Sequence, residues 1–375
     1  MEKLNRMQAL IVDSSIIDPY GHPHEWAKRI GRELVNQKAK VQFIVNRKAD
    51  LNSLSDLSRI GDVEPSLIIN ESRINYHRIS SKDELLFHRK ACGELTDLIS
   101  LRKDTDLFIF PTASSASIEA YGWSETDAEA RFILHRDPVI HSSDARVGPS
   151  ILKRACHRML ENKEFGKLST PEPELVNRLS TLGLGTPVEL LPYPLDKIDR
   201  DHRWFKPERK FTIGFFGVQR ANKGIQTIQE IIKRTVNYNI QFILHDGRGL
   251  LDRRLFQGNV EIVGYQPDLY PFMDRCHVIL LPYNRSAYDG HGSGVLMEAA
   301  ALGIPVVCTS GTIPGKRLKS LGFGELALGD RFGDFWQATK KVIVNYEKYK
   351  QAALKTQQHI HAHHGTCKAV EHLMN

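Results

Sequence analysis

Short runs of consecutive apolar residues alternate with longer stretches in which apolar positions recur every three or four residues. The run "MQALIVDSS" predicts a strand ending near Asp13. "HEWAKRIGRELVNQ" predicts an amphipathic helix beginning near His24, and "KVQFIVN" the next strand. "DLFIFPT", "ARFILHRDP" and "VELLPYPLD" continue the series. The strand runs are apolar throughout instead of alternating, the pattern of a parallel sheet covered on both faces. The stretch "YPLDKIDRDHRWFKPERK", Tyr193 to Lys210, is charged, proline-containing and aperiodic, and reads as a linker. A second series then begins: "FTIGFFG", "IQTIQEIIKRTV", "IQFILHDG", "VEIVGY", "HVILLPY" and "IPVVCTS". The expectation is an α/β protein of two doubly wound, Rossmann-like domains in tandem, residues 1–195 and 196–375, facing a central cleft. The tail from Gly333 to Asn375 is helical in pattern and polar, with its last helix expected to pack back on the first domain.

Bulk properties narrow the class. The chain of 375 residues is 41% hydrophobic and 25% charged, ordinary for a soluble globular protein. No apolar run reaches the ~18 residues of a membrane span. The N-terminus resembles a first strand more than a signal peptide. The five cysteines, Cys92, Cys156, Cys276, Cys308 and Cys367, are scattered and form no C-x-x-C pair. That fits reduced thiols in a cytoplasmic protein, not a disulfide framework or a zinc site. Net charge is +7, unevenly spread: residues 1–195 carry 26 basic and 27 acidic side chains, residues 196–375 carry 25 and 17. The basic second half suits an anionic ligand, and equally a solvated basic surface. A nucleic-acid partner is not expected, because no basic-aromatic stripe or DNA-binding motif is present.

In open parallel sheets ligands bind beyond the carboxyl ends of the strands, and three such loops carry unusual residues. In "DSSIIDPYGHPHEW", Gly21 and His22 precede a helix, where backbone N–H groups can approach a phosphate or sugar. In "GFFGVQRANKGIQTIQ", Arg220 and Lys223 sit with Gly217 and Gly224 before a helix, a setting for a diphosphate. It is neither a Walker A loop nor G-x-G-x-x-G. In "YDGHGSGVLMEAAALGIPVV", Ser293 can cap a helix. Gly292 and Gly294 remove side chains that would block a ligand, and Glu298 lies one turn in, able to bind a ribose diol. Each loop taken singly also fits a plain structural reading: a turn glycine, solvated cations, a capped core helix.

Together, five segments in order resemble the retaining glycosyltransferases of the GT-B fold, close to glycosyltransferase family 4: "YGHPHEW", "FILHRDP", "LLPYPLD", "GVQRANKG" and, most specifically, "SGVLMEAAALGIPVV". The resemblance spans nearly the whole chain. It implies that the second domain holds a nucleotide-sugar donor and the first an acceptor: a saccharide, a lipid-linked saccharide or a small molecule. Arg220, Lys223, Ser293 and Gly294 would bind the donor diphosphate and Glu298 the ribose. His135 would act at the sugar, with Gly21 and His22 in the sugar or acceptor loop. No cofactor or metal is implied, since two cations and a helix N-terminus can stabilise the leaving diphosphate. The implied role is polysaccharide or glycoconjugate biosynthesis in the cytoplasm, extending to peripheral contact with the inner face of the membrane.

One position departs from the family. Its first glutamate, eight residues before Glu298, would fall at position 290, which is Gly290; Asp289 is off register, and His291 is the candidate substitute at the sugar hydroxyls. Two alternatives stay open: a nucleotide-sugar 2-epimerase, which uses the same two-domain fold, or a non-catalytic nucleotide-sugar-binding subunit that lost its first glutamate. Other motifs are discounted. "HIHAHHG" places His359 and His363 at i, i+4 without an evident third metal ligand. "HRDP" lacks the rest of a kinase catalytic loop. "KRACHRMLENK" gathers Lys153, Arg154, His157 and Arg158 on one helix face, most simply a solvated one.

Overall fold

The structure, a computed structural model, describes residues 7–70, 78–163, 165–196, 198, 210–249, 251–256 and 258–375. The linker proposed for residues 193–210 falls largely outside them. The chain divides into two compact units, Met1–Pro194 with Thr366–Asn375, and Leu195–Gly365.

The first unit holds strands β1 (Gln8–Asp13), β2 (Lys40–Asn46), β3 (Asp62–Leu67), β4 (Leu107–Phe110), β5 (Glu129–Ile133), β6 (Gly166–Thr170) and β7 (Val188–Leu190). They form one sheet in the order β3-β2-β1-β4-β5-β6-β7, every pair parallel. Its helices are α1 (His22–Asn36), α2 (Ser55–Ser58), α3 (Ser81–Leu101), α4 (Ser115–Trp123), α5 (Val147–Asn162) and α6 (Pro173–Ser180). Central strands β1 and β4 are buried at nearly every position, as continuous apolar runs demand. β3 is different: it is an edge strand, mostly half-buried, and tolerates Pro65 because one side needs no ladder bond. Trp26, Ile30 and Leu34 of α1 are fully buried. Each such side chain contributes ~1.5–3 kcal/mol.

The second unit repeats the plan with β8 (Phe211–Phe215), β9 (Ile240–His245), β10 (Val260–Val263), β11 (Val278–Leu281), β12 (Val306–Thr309) and β13 (Gly324–Ala327). The order is β10-β9-β8-β11-β12-β13, again all parallel. Its helices are α7 (Ile225–Arg234), α8 (Tyr270–Asp274), α9 (Arg285–Tyr288), α10 (Gly294–Leu302), α11 (Ile313–Leu321), α12 (Phe332–Val344) and α13 (Tyr346–His363). A last helix, α14 (Thr366–Met374), belongs to the first unit, where it packs on α1 and its Leu373 carbonyl accepts from buried Arg131.

Both sheets reverse strand order at one place, between β1 and β4 and between β8 and β11. A crevice opens where the connections diverge, at the carboxyl ends of those strands. The loops singled out in the sequence sit at or next to these points.

Candidate functional site

In the second unit, β8 runs into Gly217 (φ 86°), then Arg220, a short 3-10 turn Ala221–Lys223, and Gly224 (φ 75°) at the start of α7. Gly224 is dictated twice over. Its backbone is left-handed, and a Cβ there would lie 2.0 Å from the Pro282 carbonyl oxygen. That contact, with the bond from the Asn284 N–H to the Asn222 carbonyl (2.9 Å), joins the loops after β8 and β11. Gly217 clears space for the Lys223 ammonium: a Cβ there would lie 2.4 Å from Nζ. Nζ also lies 5.9 Å from the Tyr283 ring centroid. Burial pushes the Lys223 pKa down to about 8, helped by neighbouring Arg220 and opposed by Glu298. Among the described residues the Lys223 ammonium has no hydrogen bond or ion pair. Arg220 itself is exposed.

Ser293 caps α10, its Oγ accepting from the Leu296 N–H (3.3 Å) and pairing with the Tyr283 hydroxyl (2.9 Å). With Tyr283 donating, both acceptor sites of Oγ are used and its own O–H remains to be donated. α10 buries every residue from Val295 to Leu302 except Glu298. Glu298 is the fifth helical residue, past the first turn, so helix-dipole preference does not explain it. Its charge acts on Lys223 and Tyr283. Gly290, Gly292 and Gly294 are not among the positive-φ glycines, so a left-handed backbone is not their reason. Gly290 is buried. The His291 ring packs on Tyr288 (centroids 4.2 Å), which stacks on Tyr283 (3.9 Å, 13°). Strand-end geometry thus gathers Arg220, Lys223, Ser293, Gly294, Glu298 and His291 at one edge of one sheet.

Two residues there were not singled out from the sequence. Tyr283, buried after β11, supports both Lys223 and Ser293. His245, at the end of β9, is 6% exposed, and its ring faces the backbone of Gly217. Burial, then Lys223, lowers its pKa to about 4, keeping it neutral. Neither stands out by pattern, since each gains its meaning from residues on neighbouring strands.

In the first unit α1 begins at His22, two residues before the position expected; Pro23, with φ already helical, extends it. Gly21 is its N-cap at φ 98°, ψ −176°, with nothing near a would-be Cβ, so conformation alone requires glycine. The turn brings the half-buried His22 Nε2 to 3.1 Å from His135 Nδ1, and His135 Nε2 lies 2.8 Å from the Pro111 carbonyl oxygen. Trp26 and Tyr193 pack beneath. Asp13, unremarked as a site residue, closes the end of β1, accepting from Thr112 Oγ1 (2.7 Å) and the Ser15 N–H (2.8 Å). Burial raises its pKa to about 6.

The discounted motifs are structural. Asp137 is buried and paired with Arg178 at 2.8 Å. On α5, Arg154 pairs with Glu119, and Arg158 lies over Trp123 (3.9 Å) and pairs with Glu161, leaving an open recess of about 410 Å³. His359 and His363 are neighbours, but no group of three potential metal ligands occurs among the described residues. All five cysteines are free thiols. No helix among the described residues is long and apolar enough to cross a membrane.

Known structures share this architecture. HepE of Anabaena, solved in complex with UDP and glucose, superimposes with TM-score 0.65 at 15% identity, covering 98% of both chains. Sucrose-phosphate synthase from Thermosynechococcus elongatus gives 0.67 at 14%, again covering 98% of both. Spinosyn rhamnosyltransferase SpnG, complexed with thymidine diphosphate, gives 0.65 at 13%, covering 98% of this chain and 100% of that one. At such identities the likeness establishes the fold, which is GT-B. No curated protein matches the chain by sequence. Residues 210–319 match the family model "Glycosyl transferases group 1". These findings show the GT-B fold and, over residues 210–319, a likeness to the group 1 glycosyl transferases. The matched stretch lies in the second unit and contains the Arg220–Lys223 loop and all of α10.

Proposed function

We propose that the protein transfers a sugar from a nucleoside-diphosphate-sugar donor to an acceptor hydroxyl, with retention and without a metal. The observation that carries this reading is the Lys223 ammonium, held against Gly217 without an ion-pair partner among the described residues. A half-buried cation with only the more distant charge of Glu298 to offset it is costly, and an arriving anion that pairs with it removes that cost. Arg220 adds a second charge, and the Ser293-capped N-terminus of α10 adds a hydroxyl and backbone donors, including the N–H of Gly294. Glu298, one turn along, suits a diol. Three donor groups for a diphosphate and one acceptor for a ribose support the assignment, and the UDP and thymidine diphosphate bound by related folds agree with it. As the leaving diphosphate gains charge, the two cations and the helix terminus stabilise it, which is why no metal is invoked.

In this proposal the first unit takes the acceptor, with His135, His22 and Gly21 at its reacting hydroxyl or at the transferred sugar. The acceptor is a saccharide, lipid-linked or small-molecule alcohol, in cytoplasmic polysaccharide or glycoconjugate synthesis, with His291 in place of the missing glutamate. Gly290 favours one second reading, a nucleotide-sugar-binding protein without transfer. Titrating UDP, TDP, GDP and ADP while following thermal unfolding tests the donor site, since a ligand of the native state raises Tm. The reading predicts a response to at least one diphosphate. Silence toward all four would sink it. Donor with acceptor should then yield free nucleoside diphosphate and a glycoside, whereas a new nucleotide sugar formed from donor alone would mean an epimerase.

A further inference from the structure

Two tyrosines follow β11, and their hydroxyls differ. Tyr283 and Tyr288 are 2% and 4% exposed, and their rings lie nearly parallel, with centroids 3.9 Å apart and planes at 13°. The Tyr283 hydroxyl is spent inside the protein, on Ser293 Oγ at 2.9 Å. The Tyr288 hydroxyl has no hydrogen-bond partner among the described residues. A buried phenol normally pairs its O–H, because withdrawing that group from water without a partner costs free energy. The ring is also held in place. Tyr288 ends α9, its N–H donates to the Asn284 carbonyl (3.0 Å), and the His291 ring packs on it at 4.2 Å and 60°. An unmet donor on an immobilised ring is preorganised for a ligand, since little entropy is lost when an acceptor arrives.

The surroundings select the acceptor. Tyr288 lies on the connection from β11 to the Ser293-capped N-terminus of α10. Burial pushes the phenol's pKa well above its usual 10, with the charge of Arg220 opposing and Cys308 adding. At neutral pH the group is therefore an O–H donor and not a phenolate. Arg220 itself is exposed and open to an incoming anion. A neutral donor, a neighbouring guanidinium and a helix N-terminus all favour ligand atoms that only accept and carry negative charge. Phosphate oxygens are such atoms, whereas sugar hydroxyls gain less from the cation.

We propose that Tyr288 is a further donor-binding residue: its hydroxyl donates a hydrogen bond to a phosphate oxygen of the nucleotide, alongside Arg220 and Ser293. This role rests on the nucleoside-diphosphate reading of the site and adds a contact to it. It also gives the tyrosine stack a division of labour. Tyr283 holds the helix cap from within, and Tyr288 meets the ligand.

The test is calorimetric titration of UDP, TDP, GDP and ADP into the full-length parent, Tyr288→Phe and Lys223→Ala, with urea unfolding of each protein. For a diphosphate that the parent binds, Kd should rise on the order of 10-fold in Tyr288→Phe, as for one hydrogen bond lost to a charged acceptor. The same rise should appear with the corresponding nucleotide sugar. The urea midpoint of Tyr288→Phe should equal or exceed that of the parent, because the hydroxyl removed had no partner. Tyr283→Phe, which strips a bonded hydroxyl from Ser293, should lower it. An unchanged Kd in Tyr288→Phe would overturn the proposed role; the donor reading then stands if Lys223→Ala loses binding and falls as well if it does not. A lowered midpoint or a failure to fold in Tyr288→Phe would mean that the hydroxyl is bonded in the free protein, and would overturn the role too. A rise confined to the nucleotide sugar would put the hydroxyl at the sugar and contradict the phosphate contact. No binding of any diphosphate by a folded parent would remove the donor reading, and this role with it.

Discussion

Lys223 is where charge, burial and function meet. Its pKa, held near 8 by burial and by Arg220 against an ordinary 10.5, puts its titration within reach of experiment. A bound diphosphate favours the ammonium, so binding above pH 8 must take up a proton. Nucleoside-diphosphate affinity should be flat below about pH 7 and fall above 8, approaching tenfold per pH unit. Lys223→Arg should abolish that fall while keeping affinity. A calorimetric titration across pH checks both, and an identical fall in the arginine variant would assign it to another group. Asp13 gives the opposite kind of test. Its carboxyl, raised by burial from 3.8 to about 6, binds its proton more tightly folded than unfolded. Stability from this group is therefore full at low pH and is lost as pH rises from about 4 through 6. In urea unfolding, Asp13→Asn should gain on the parent across that window by at most ~3 kcal/mol. Parallel curves would mean that Asp13 is not perturbed.

The elements around the donor loop are tied together by a few contacts that can be cut singly. Gly224→Ala forces a left-handed alanine and drives its Cβ onto the Pro282 carbonyl. The expected loss is on the order of 2–4 kcal/mol, read by urea or thermal unfolding. Ser293→Ala removes a cap worth about 1 kcal/mol and orphans the buried Tyr283 hydroxyl, at a further ~1–3 kcal/mol. Adding Tyr283→Phe should recover part of the second loss. Strict additivity in that double-mutant cycle would mean that the two hydroxyls do not interact.

These elements differ in how plainly they are written in the sequence. β1, β8 and β11 were legible because buried parallel strands are continuous apolar runs, and the start of α10 because Ser293 is a good cap. β3 and β13 were not, being half-exposed edge strands, "DVEPSL" and "GELA", with one buried residue each. The site divides in the same way. Glycines and cations at strand ends announce themselves, whereas Asp13, Trp26, Tyr193, His245 and Tyr283 do not. Each is an ordinary residue locally and acquires a role from a partner far along the chain, as Tyr193 does from His22, 171 positions away.

At the scale of the whole molecule, the chain repeats one architecture twice, and the proposed function assigns the donor to one copy and the acceptor to the other. The basic excess of residues 196–375 coincides with the unit that carries Lys223 and the stretch similar to the group 1 glycosyl transferases. Diphosphate affinity should therefore weaken with rising salt. Hydrogen exchange should report protection near residues 217–224 and 293–298 of the second unit on adding nucleotide, with β1 and β4 of the first unaffected.

The central claim is that a nucleoside diphosphate binds at the strand ends of the second unit through Lys223. It is tested most directly by calorimetric titration of UDP, TDP, GDP and ADP into the parent and into Lys223→Ala near neutral pH. The account predicts saturable binding of at least one diphosphate by the parent. It also predicts a loss of about 2–5 kcal/mol in the variant, as for one partner removed from a buried charge pair. Binding by the variant as tight as by the parent, or no binding of any diphosphate by a folded parent, would contradict it.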